Sequence, residues 1–490
     1  MENSDAHERA GSSRRAFLSA SAVTAATAPL LADQASARAS AHASAPASAY
    51  AGPGDPAPGR PITPQRPDAG LRDLLRQVDA RRIQATVQRL VAFGTRHTLS
   101  SQDDPARGIG AATTWVHDRM AEYAAASGGR MTVARQSFVQ PVSPRIPQPT
   151  TITNVIATLR GDASPERVYV VTGHLDSRVS DVMNFTSDAP GADDDASGVA
   201  VVMELARLFA TRRTHGTLVL AAVSGEEQGL YGSAHMAAQL KAAGADVQAM
   251  FSNDIVGASR GWDGTRPDPY TVRLFVEGVP TAETPAEAAI RQSVGGENDG
   301  PSRQLARFVH EVASGGHTGM DVRVIWRRDR YLRGSDHVSF LRQGYPAARF
   351  TEPRENYDHE HQDVRVENGV QFGDLPRFVD YAYMARVAKV NAAALWSLAQ
   401  GPGTPENVQI LAAALTNDTT LTWDRGTDAG LAGYEVVWRE TTAPEWTHRI
   451  DVGDVTRVTV DLAKDNVQFG VRAVDRDGHR GPVAFPRVAS

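Results

Sequence analysis

The sequence predicts an α/β fold, with a mixed, mainly parallel sheet sandwiched by helices, and a small all-β sandwich domain after it. Between about residue 71 and residue 400, short runs rich in Val and Ile alternate with segments whose apolar residues recur at helical spacing. After Gly401 the helical spacing stops, and short alternating runs separated by turn residues follow. A chain of 490 residues is also longer than one ordinary domain requires.

The first 37 residues have the pattern of an export signal rather than of a folded segment. Arg14 and Arg15 precede a weakly apolar stretch that ends in an Ala-Ser-Ala triplet at residues 35–37, the order found in twin-arginine signals. The stretch is too short and too rich in Ala, Ser and Thr for stable membrane insertion. We therefore predict a secreted or periplasmic protein. Residues 38–70 are rich in Ala, Pro and Ser and predict a disordered linker.

Residues 71–400 are predicted to form one domain of alternating strands and helices. Three strand-like runs, RVYVVTGH, GTLVLAAVSGEE and AMFSNDIVG, carry His174, Glu226 and Asp254 at or near their ends. Helical segments such as SGVAVVMELARLFATR and GSAHMAAQLKAAG separate them. In parallel sheets, ligand sites gather beyond the carboxyl ends of strands. These three side chains therefore mark a candidate site.

Residues 404–490 are predicted to form a β-sandwich that resembles a fibronectin type III domain. The runs TTLTWD, GYEVVWRE, RVTVDL and VQFGVRAVD alternate apolar and polar residues, with turn residues between them. Trp423, Tyr434 and Phe469 fall where such a domain has core aromatics. The sequence gives no indication of what this domain binds.

The formal net charge of -6 and the lack of cysteine limit the partners and the metal ligands that the chain could have. An acidic chain gives no indication of a nucleic-acid partner, which would favour a basic face. Without cysteine the chain has no disulfide, no thiolate nucleophile and no cysteine-ligated metal. Any metal must therefore be held by His, Asp and Glu.

Five short segments supply the ligand types of a hydrolytic zinc site. Taken singly, each has an ordinary explanation, since an Asp-rich turn usually caps a helix and paired glutamates after a strand are usually solvated. Together they offer two histidines and several carboxylates, and one carboxylate could donate an oxygen to each of two metals. The segments are TGHLDS with His174, GADDDASG with Asp193, Asp194 and Asp195, SGEEQG with Glu226 and Glu227, SNDIVG with Asp254, and ENYDHEHQD with His359.

These segments, in the order GHLDS, PGADDDASG, SGEEQGLYGS, ND, SDHVSF, GYPAA and YDHEHQD, resemble the M28 family of co-catalytic zinc exopeptidases, typified by bacterial secreted leucine-type aminopeptidases. The resemblance covers residues 75–400 approximately. It implies a mixed, mainly parallel sheet between helices, two Zn²⁺ ions and a peptide substrate.

The resemblance also implies a role for each matching residue. Glu226 is the general base, and Asp176 is the carboxylate that fixes the imidazole tautomer of the first histidine ligand. The last ligand is His359 or His361. Because the family's ligand histidine lies four residues before an aspartate, and Asp363 has that spacing from His359, we expect His359. The implied metal ligands are His174, Asp194 as the bridge, Glu227, Asp254 and His359.

Two further features of the family carry over less directly. Several members stabilise the oxyanion with a tyrosine, and Tyr331 and Tyr357 are both candidates for that role. The family also implies a cis peptide bond between Asp194 and Asp195, with the outer aspartates bonded to local backbone.

The sequence thus predicts a secreted metallo-aminopeptidase that removes N-terminal residues with a zinc-activated water and Glu226 as the base. A carboxypeptidase or another amide hydrolase on the same scaffold is the alternative, and the arginines of RRDRYLR and Arg349 keep it open. A binding protein without activity is the third interpretation. Because the sandwich supplies no ligand, we expect a chain that ends near residue 400 to retain turnover.

Overall fold

The computed structural model describes residues 58–262, 266–413 and 415–489. The predicted export signal and the predicted linker up to residue 57 lie outside these ranges. Among the helices within them, none has both the length and the apolar character needed to cross a membrane.

The first domain is built on an eight-stranded mixed sheet with strand order β2-β3-β5-β4-β6-β9-β7-β8. Four neighbouring pairs are parallel (β5-β4, β4-β6, β6-β9 and β7-β8), and three are antiparallel. The predicted mixed, mainly parallel sheet is therefore confirmed. The strands are β2 (Met131–Gln140), β3 (Thr150–Leu159), β4 (Ser164–His174), β5 (Gly216–Val223), β6 (Asp246–Asn253), β7 (Thr271–Val276), β8 (Asp321–Ile325) and β9 (Ala347–Thr351).

Helices cover both faces of this sheet, as predicted. Successive residues of β4 alternate between the two faces: Val171 belongs to the core that includes α1 to α4, α8 and α10, and Val170 belongs to the core that includes α6 and α9. The helices are α1 (Ala69–Arg76), α2 (Ala80–Val91), α3 (Ile109–Ala125), α4 (Ala196–Ala210), α5 (Glu226–Gly229), α6 (Tyr231–Ala242), α7 (Pro285–Ser293), α8 (Pro301–Ala313), α9 (His337–Arg342) and α10 (Tyr381–Gln400). A short hairpin of β10 (Arg365–Glu367) and β11 (Val370–Phe372) and a 3-10 turn (Pro376–Phe378) precede α10.

Helix α4 lies unusually close to the sheet at its N-terminal end. A Cβ atom at Gly198 would lie 2.1 Å from the carbonyl oxygen of Asn253, and one at Gly173 would lie 2.4 Å from the carbonyl carbon of Gly198. Only glycine fits at these two positions, so the helix start contacts the ends of β4 and β6 directly. The three aspartates that precede α4 are thereby brought over the end of β4.

The C-terminal region forms a β-sandwich of two four-stranded sheets, β1-β15-β14-β17 and β16-β13-β12-β18. Trp423, Tyr434 and Phe469 are buried in its core, as predicted, and the Trp423 and Tyr434 ring centroids lie 5.3 Å apart. The likeness to a fibronectin type III domain stays a prediction. The strands are β1 (Arg60–Pro61), β12 (Gln409–Ile410), β13 (Thr419–Thr422), β14 (Leu431–Glu440), β15 (His448–Gly453), β16 (Arg457–Val460), β17 (Val467–Asp475) and β18 (Arg487–Val488).

The predicted linker is wrong for residues 58–70. Strand β1 pairs with β15 at the edge of a sheet, and Trp438 donates its indole N–H to the Pro58 carbonyl at 2.9 Å. Asp68 then caps α1 by accepting the Leu71 N–H at 2.7 Å. Proline lacks a donor but is tolerated on an edge strand, so a proline-rich segment is able to join a sheet there.

The sandwich is joined to the first domain by buried ion pairs. Asp299 accepts from Arg307 of its own domain at 3.0 Å and from Arg439 of the sandwich at 2.7 Å, and all three side chains are buried. Glu311 on α8 accepts from Arg472 of the sandwich at 2.7 Å. Because the sandwich supplies partners to charged side chains of the first domain, we expect the two domains to stabilise each other.

Candidate metal centre

The candidate site lies at the carboxyl end of the parallel strands. His174 is the last residue of β4, Asp254 follows β6, and Glu226 and Glu227 open α5 three residues after β5. Since β4, β5 and β6 run in the same direction side by side, their ends meet at one edge of the sheet. The predicted strand-end site is therefore present in the structure.

Three buried side chains form the first group of possible metal ligands. His174 Nε2 lies 3.0 Å from Asp194 Oδ1 and 4.0 Å from Asp254 Oδ1. All three residues are buried.

A second group lies on the other side of Asp194. His361 Nε2 lies 2.8 Å from Asp194 Oδ2 and 3.1 Å from Glu227 Oε1. The two oxygens of one carboxylate thus face two different histidines, which is the arrangement that a bridging ligand requires. The sequence-based prediction of Asp194 as the bridging position agrees with this geometry.

The prediction of His359 is wrong. Its ring stacks on Phe378 with centroids 3.6 Å apart, and His361 takes the place beside Asp194 and Glu227. His361 has a left-handed backbone with φ of 54°, within a loop that has no regular period between Thr351 and Arg365. A count of residues to Asp363 therefore does not determine which histidine faces the site.

Asp193 and Asp195 fix the position of Asp194 through hydrogen bonds to backbone N–H groups. The Asp194–Asp195 peptide bond is cis, as expected. Asp195 accepts the His174 backbone N–H at 2.8 Å and the Gly198 N–H at 2.9 Å, so it caps α4 and ties it to β4. Asp193 accepts the Gly257 N–H at 2.6 Å. Asp195 bonds the local backbone through Gly198, as predicted, whereas the backbone partner of Asp193 lies 64 residues away in sequence.

Asp374 completes this support, although no feature of the sequence predicts it. Its carboxylate accepts the backbone N–H groups of Asp193 at 2.9 Å and Asp194 at 2.7 Å. Burial and the neighbouring Asp193 raise the pKa of Asp374 to about 8. The residue lies in the irregular stretch after β11, where no periodicity or motif marks it.

Asp176 lies beside His174 as expected but acts differently there. The His174 Nδ1–H donates to the Asp176 backbone carbonyl at 3.0 Å, whereas the carboxylate is 3.7 Å away. The carboxylate instead accepts the backbone N–H groups of Glu226 at 3.2 Å and Glu227 at 3.0 Å. Asp176 therefore sets both the His174 tautomer and the start of the helix that carries the two glutamates.

The two groups of possible metal ligands carry an excess of negative charge. Burial lowers the pKa of His361, but Glu227 and Asp194 together have the larger effect and raise the pKa to about 10. Burial likewise lowers the pKa of His174, and Asp195 and Asp176 raise it well above its usual value. The negative charge of these carboxylates therefore favours a cation beside both imidazoles.

The donor set fits zinc. Every candidate ligand is an imidazole nitrogen or a carboxylate oxygen, and neighbouring ligands of tetrahedral zinc lie about 3.3 Å apart. The separations of 2.8, 3.0 and 3.1 Å between His361 or His174 and their carboxylates are close to that value. The 4.0 Å separation between His174 Nε2 and Asp254 Oδ1 is longer, although both residues belong to the same group of possible ligands.

Comparison with known proteins agrees with this donor set. The sequence profile of peptidase family M28 matches residues 154–368. A probable zinc metalloprotease of Leptosphaeria maculans is 54% identical over 420 residues, which is 86% of this chain and 97% of that protein. This chain belongs to peptidase family M28. A probable zinc metalloprotease of Pyricularia oryzae is 55% identical over 434 residues, covering 87% of this chain and 86% of that protein.

The M28 chain is accordingly a zinc metalloprotease, and the relatives named above are fungal. Among solved structures, the LapA aminopeptidase of Legionella pneumophila has a TM-score of 0.47 at 17% identity, covering 69% of this chain and 78% of that one. The aminopeptidase of Aneurinibacillus sp. strain AM-1 has a TM-score of 0.47 at 17% identity, covering 68% of this chain and 96% of that one.

Two arginines contact the outer ligands of this M28 centre. Arg349, which is buried, donates to Asp254 Oδ1 at 2.9 Å and to Asp329 at 3.1 Å. Arg178 donates to Glu227 Oε2 at 2.8 Å. Each arginine occupies one carboxylate oxygen and so restricts how its ligand is able to turn. The sequence indicated Arg349 only as a possible carboxylate binder, and no motif marks Arg178.

The two tyrosines proposed for the oxyanion lie near the surface. Tyr331 is 82% exposed and its ring stacks under Arg327 at 3.8 Å, and Tyr357 is 57% exposed. In the described part of the chain, neither hydroxyl makes a hydrogen bond. An oxyanion role for either tyrosine stays a prediction.

Proposed function

We propose that the chain is a zinc aminopeptidase that hydrolyses the first peptide bond of peptides with a free amino terminus. The observation that supports it most directly is the bridging arrangement, in which Asp194 presents one oxygen to His174 and the other to His361. Glu226 opens the adjacent helix next to the ligand Glu227. One carboxylate outside the two ligand groups is therefore available for proton transfer.

The proposed ligands fall into two groups that share Asp194. His174, Asp194 and Asp254 would hold one zinc ion, and Asp194, Glu227 and His361 would hold the other. When bound, zinc supplies a water of lowered pKa and polarisation of the scissile carbonyl.

Glu226 is proposed to take the proton of that water and to pass it to the leaving amine. Burial raises the pKa of the Glu226 carboxyl well above its usual value, His174 lowers it, and Asp254 and Glu227 raise it further. A carboxyl with a raised pKa is better matched to both steps, because it has to accept a proton and then release it. Asp176 positions Glu226 through its backbone N–H.

The excess of carboxylates supports recognition of an amino terminus. Asp336, with a pKa raised to about 7 by burial, lies within electrostatic range of His174, Asp254 and Glu226. An α-ammonium group is complementary to such an acidic site.

A carboxypeptidase is the second candidate, and a specific observation favours it. The charges of Arg330 and Asp254 attract each other. Arg330 also belongs to a group of arginines that line a neighbouring cavity. A terminal carboxylate would be complementary to that group.

A panel of peptides separates the two candidates. The chain should release the first residue from peptides with free amino termini and leave amino-acetylated peptides intact, whatever the state of the carboxyl terminus. Release of the last residue, blocked by carboxyl-terminal amidation, would instead identify a carboxypeptidase. Mass spectrometry of the products measures both.

We also propose that the protein is exported by its twin-arginine segment, which rests on Arg14 and Arg15 and the small-residue triplet at residues 35–37. Replacing both arginines with lysine should retain the full-length protein in the cytoplasm. Equal export of the variant would contradict this.

A further inference from the structure

A cavity of about 530 Å³ lies beside the metal centre and is lined mainly by arginine. Most of its wall comes from the loop between β8 and α9, and Leu230 closes one side. The arginines that line it are Arg327, Arg328, Arg330, Arg333 and Arg342. We refer to it as the arginine pocket.

The arginine pocket is connected to the metal centre at two points. Leu230 follows α5, the helix that carries Glu226 and Glu227. On the other side, the pocket residue Asp329 and the metal ligand Asp254 share the buried guanidinium of Arg349. The wall of the pocket and the proposed metal ligands are therefore connected through one buried arginine and one short helix.

Only part of the positive charge in the pocket is neutralised by the protein. Arg330 and Arg333 both donate to Glu355, at 2.7 and 3.3 Å. Within the described residues, Arg328 and Arg342 have no carboxylate at ion-pair distance, and both are exposed to solvent. Like charges gathered on one wall repel one another, and a bound anion would relieve that repulsion.

We propose that the arginine pocket binds a carboxylate of the peptide substrate, and so gives the enzyme a preference for acidic peptides. This inference rests on the proposed peptidase function. A guanidinium matches a carboxylate with two parallel hydrogen bonds, and the pocket offers several such groups. The carboxylate has two possible sources, an Asp or Glu side chain near the cleaved bond and the free carboxyl terminus of a short peptide.

Matched peptides test the proposal and identify the source. In one series Glu replaces Gln at each of the first three positions in turn, and in another the carboxyl terminus is free or amidated. We expect kcat/KM to be about tenfold higher for the charged member of at least one pair, as one charge-assisted hydrogen-bonded pair supplies. A preference only for the free terminus of short peptides assigns the pocket to that group. Equal kcat/KM within every pair would overturn the proposal.

The double variant Arg328→Gln/Arg342→Gln links the preference to the pocket. Both side chains are exposed, so we expect their substitution to change the stability of the fold by little. The ratio of kcat/KM between charged and uncharged peptides should fall to about one-tenth of its wild-type value. The matched control is Arg160→Gln/Arg213→Gln, two exposed arginines at the opposite edge of the sheet, near the end of β3 and the start of β5. An equal fall in both double variants would contradict a role for the pocket.

Binding to a catalytically impaired chain keeps this inference separate from the proposed reaction. Glu226→Gln should bind the charged peptide about tenfold more tightly than its uncharged partner, measured by calorimetry, whichever bond the enzyme cuts. If N-free peptides are not hydrolysed but this difference persists, the aminopeptidase proposal fails and the pocket assignment stands. If hydrolysis occurs but binding is equal, the pocket assignment fails alone.

Discussion

Arg178 donates its Nε–H to Oε2 of Glu227 at 2.8 Å, and its Nη2 donates to His361 Nδ1. The guanidinium therefore lies against both outer ligands of the second proposed zinc position. A neutral imidazole that accepts at Nδ1 carries its hydrogen on Nε2, whereas a metal at Nε2 needs a lone pair there. Arg178 and a bound zinc ion thus compete for His361, and the guanidinium adds repulsion.

The first prediction is that Arg178 weakens binding at the second zinc position. Arg178→Gln should raise the affinity for the second zinc equivalent by about tenfold, because it removes a positive charge next to the ligands. Titration against a chelator of known affinity measures this. Arg178→Lys is the control that keeps the charge, and its affinity should stay near that of the wild type. A weaker second site in Arg178→Gln would show that orientation of Glu227 outweighs repulsion.

The second prediction separates the base from the neighbouring ligand. Glu226→Gln should lower kcat by about 10²–10⁴-fold, the usual contribution of a general base, while retaining its zinc. Glu227→Ala should lose zinc, because it removes a carboxylate 3.1 Å from His361. Elemental analysis and peptide hydrolysis on the same preparations give both values. Equal zinc loss in the two variants would mean that the roles are wrongly assigned.

The third prediction tests the choice between the two histidines. His361→Ala should reduce the zinc content by about one equivalent and abolish turnover, because it removes a ligand shared with Asp194 and Glu227. His359→Ala is the matched control two residues away, and its zinc content should not change, since His359 stacks on Phe378 instead. The opposite pattern of zinc loss would favour the spacing rule over the structure.

The predicted site residues that the structure brings together lie at the ends of regular elements. His174 and Asp254 come directly after apolar runs whose direction and pairing a sequence pattern indicates, and Asp194 precedes a helix with a recognisable apolar stretch. Because strand and helix periodicity fixes where such elements end, the polar residues at their ends are predictable as a set. The mixed sheet and the buried aromatics of the sandwich were predictable for the same reason.

The residues that were mispredicted or missed lie in irregular loops or act across the chain. His361 and Asp374 come from stretches without periodicity, and Arg178 contacts Glu227 from 49 positions away in sequence. The segment around β1 read as a linker because its composition is low in apolar residues. Pairing with a strand about 390 residues later leaves no local signal in the sequence.

The fourth prediction concerns removal of the sandwich. The sequence alone predicts that a chain ending near residue 400 stays active. The contacts between the two domains predict the opposite. That truncation would remove Arg439 and Arg472, the partners of Asp299 and Glu311, and would expose to water the face of the first domain that the sandwich covers. We expect little soluble protein and no cooperative unfolding transition by circular dichroism. A soluble truncated chain with full zinc content and wild-type turnover would show that the junction is dispensable.

The last prediction concerns the pH dependence of that junction. His479 of the sandwich lies between two carboxylates, with Nδ1 at 2.8 Å from Asp475 and Nε2 at 3.0 Å from Asp68, the residue that caps α1. Hydrogen bonds to Asp475 and Asp68 raise the pKa of His479 from 6.5 to about 10, although burial lowers it.

Since the folded state binds this proton more tightly than the unfolded state does, the stabilisation is fully present below pH 6.5. It declines as the pH rises from there and is lost once the pH passes through about 10. The free energy of unfolding should therefore fall more steeply between pH 6.5 and 10 in the wild type than in His479→Gln. Urea unfolding of both chains at pH 6, 8 and 10 measures the difference, which should be largest at pH 6 and shrink at each step.

His310→Gln, which removes a partly exposed histidine 3.9 Å from Glu445, is the control and should follow the wild-type curve. A difference between wild type and His479→Gln that stays constant with pH would mean that His479 contributes by packing and not by its charge.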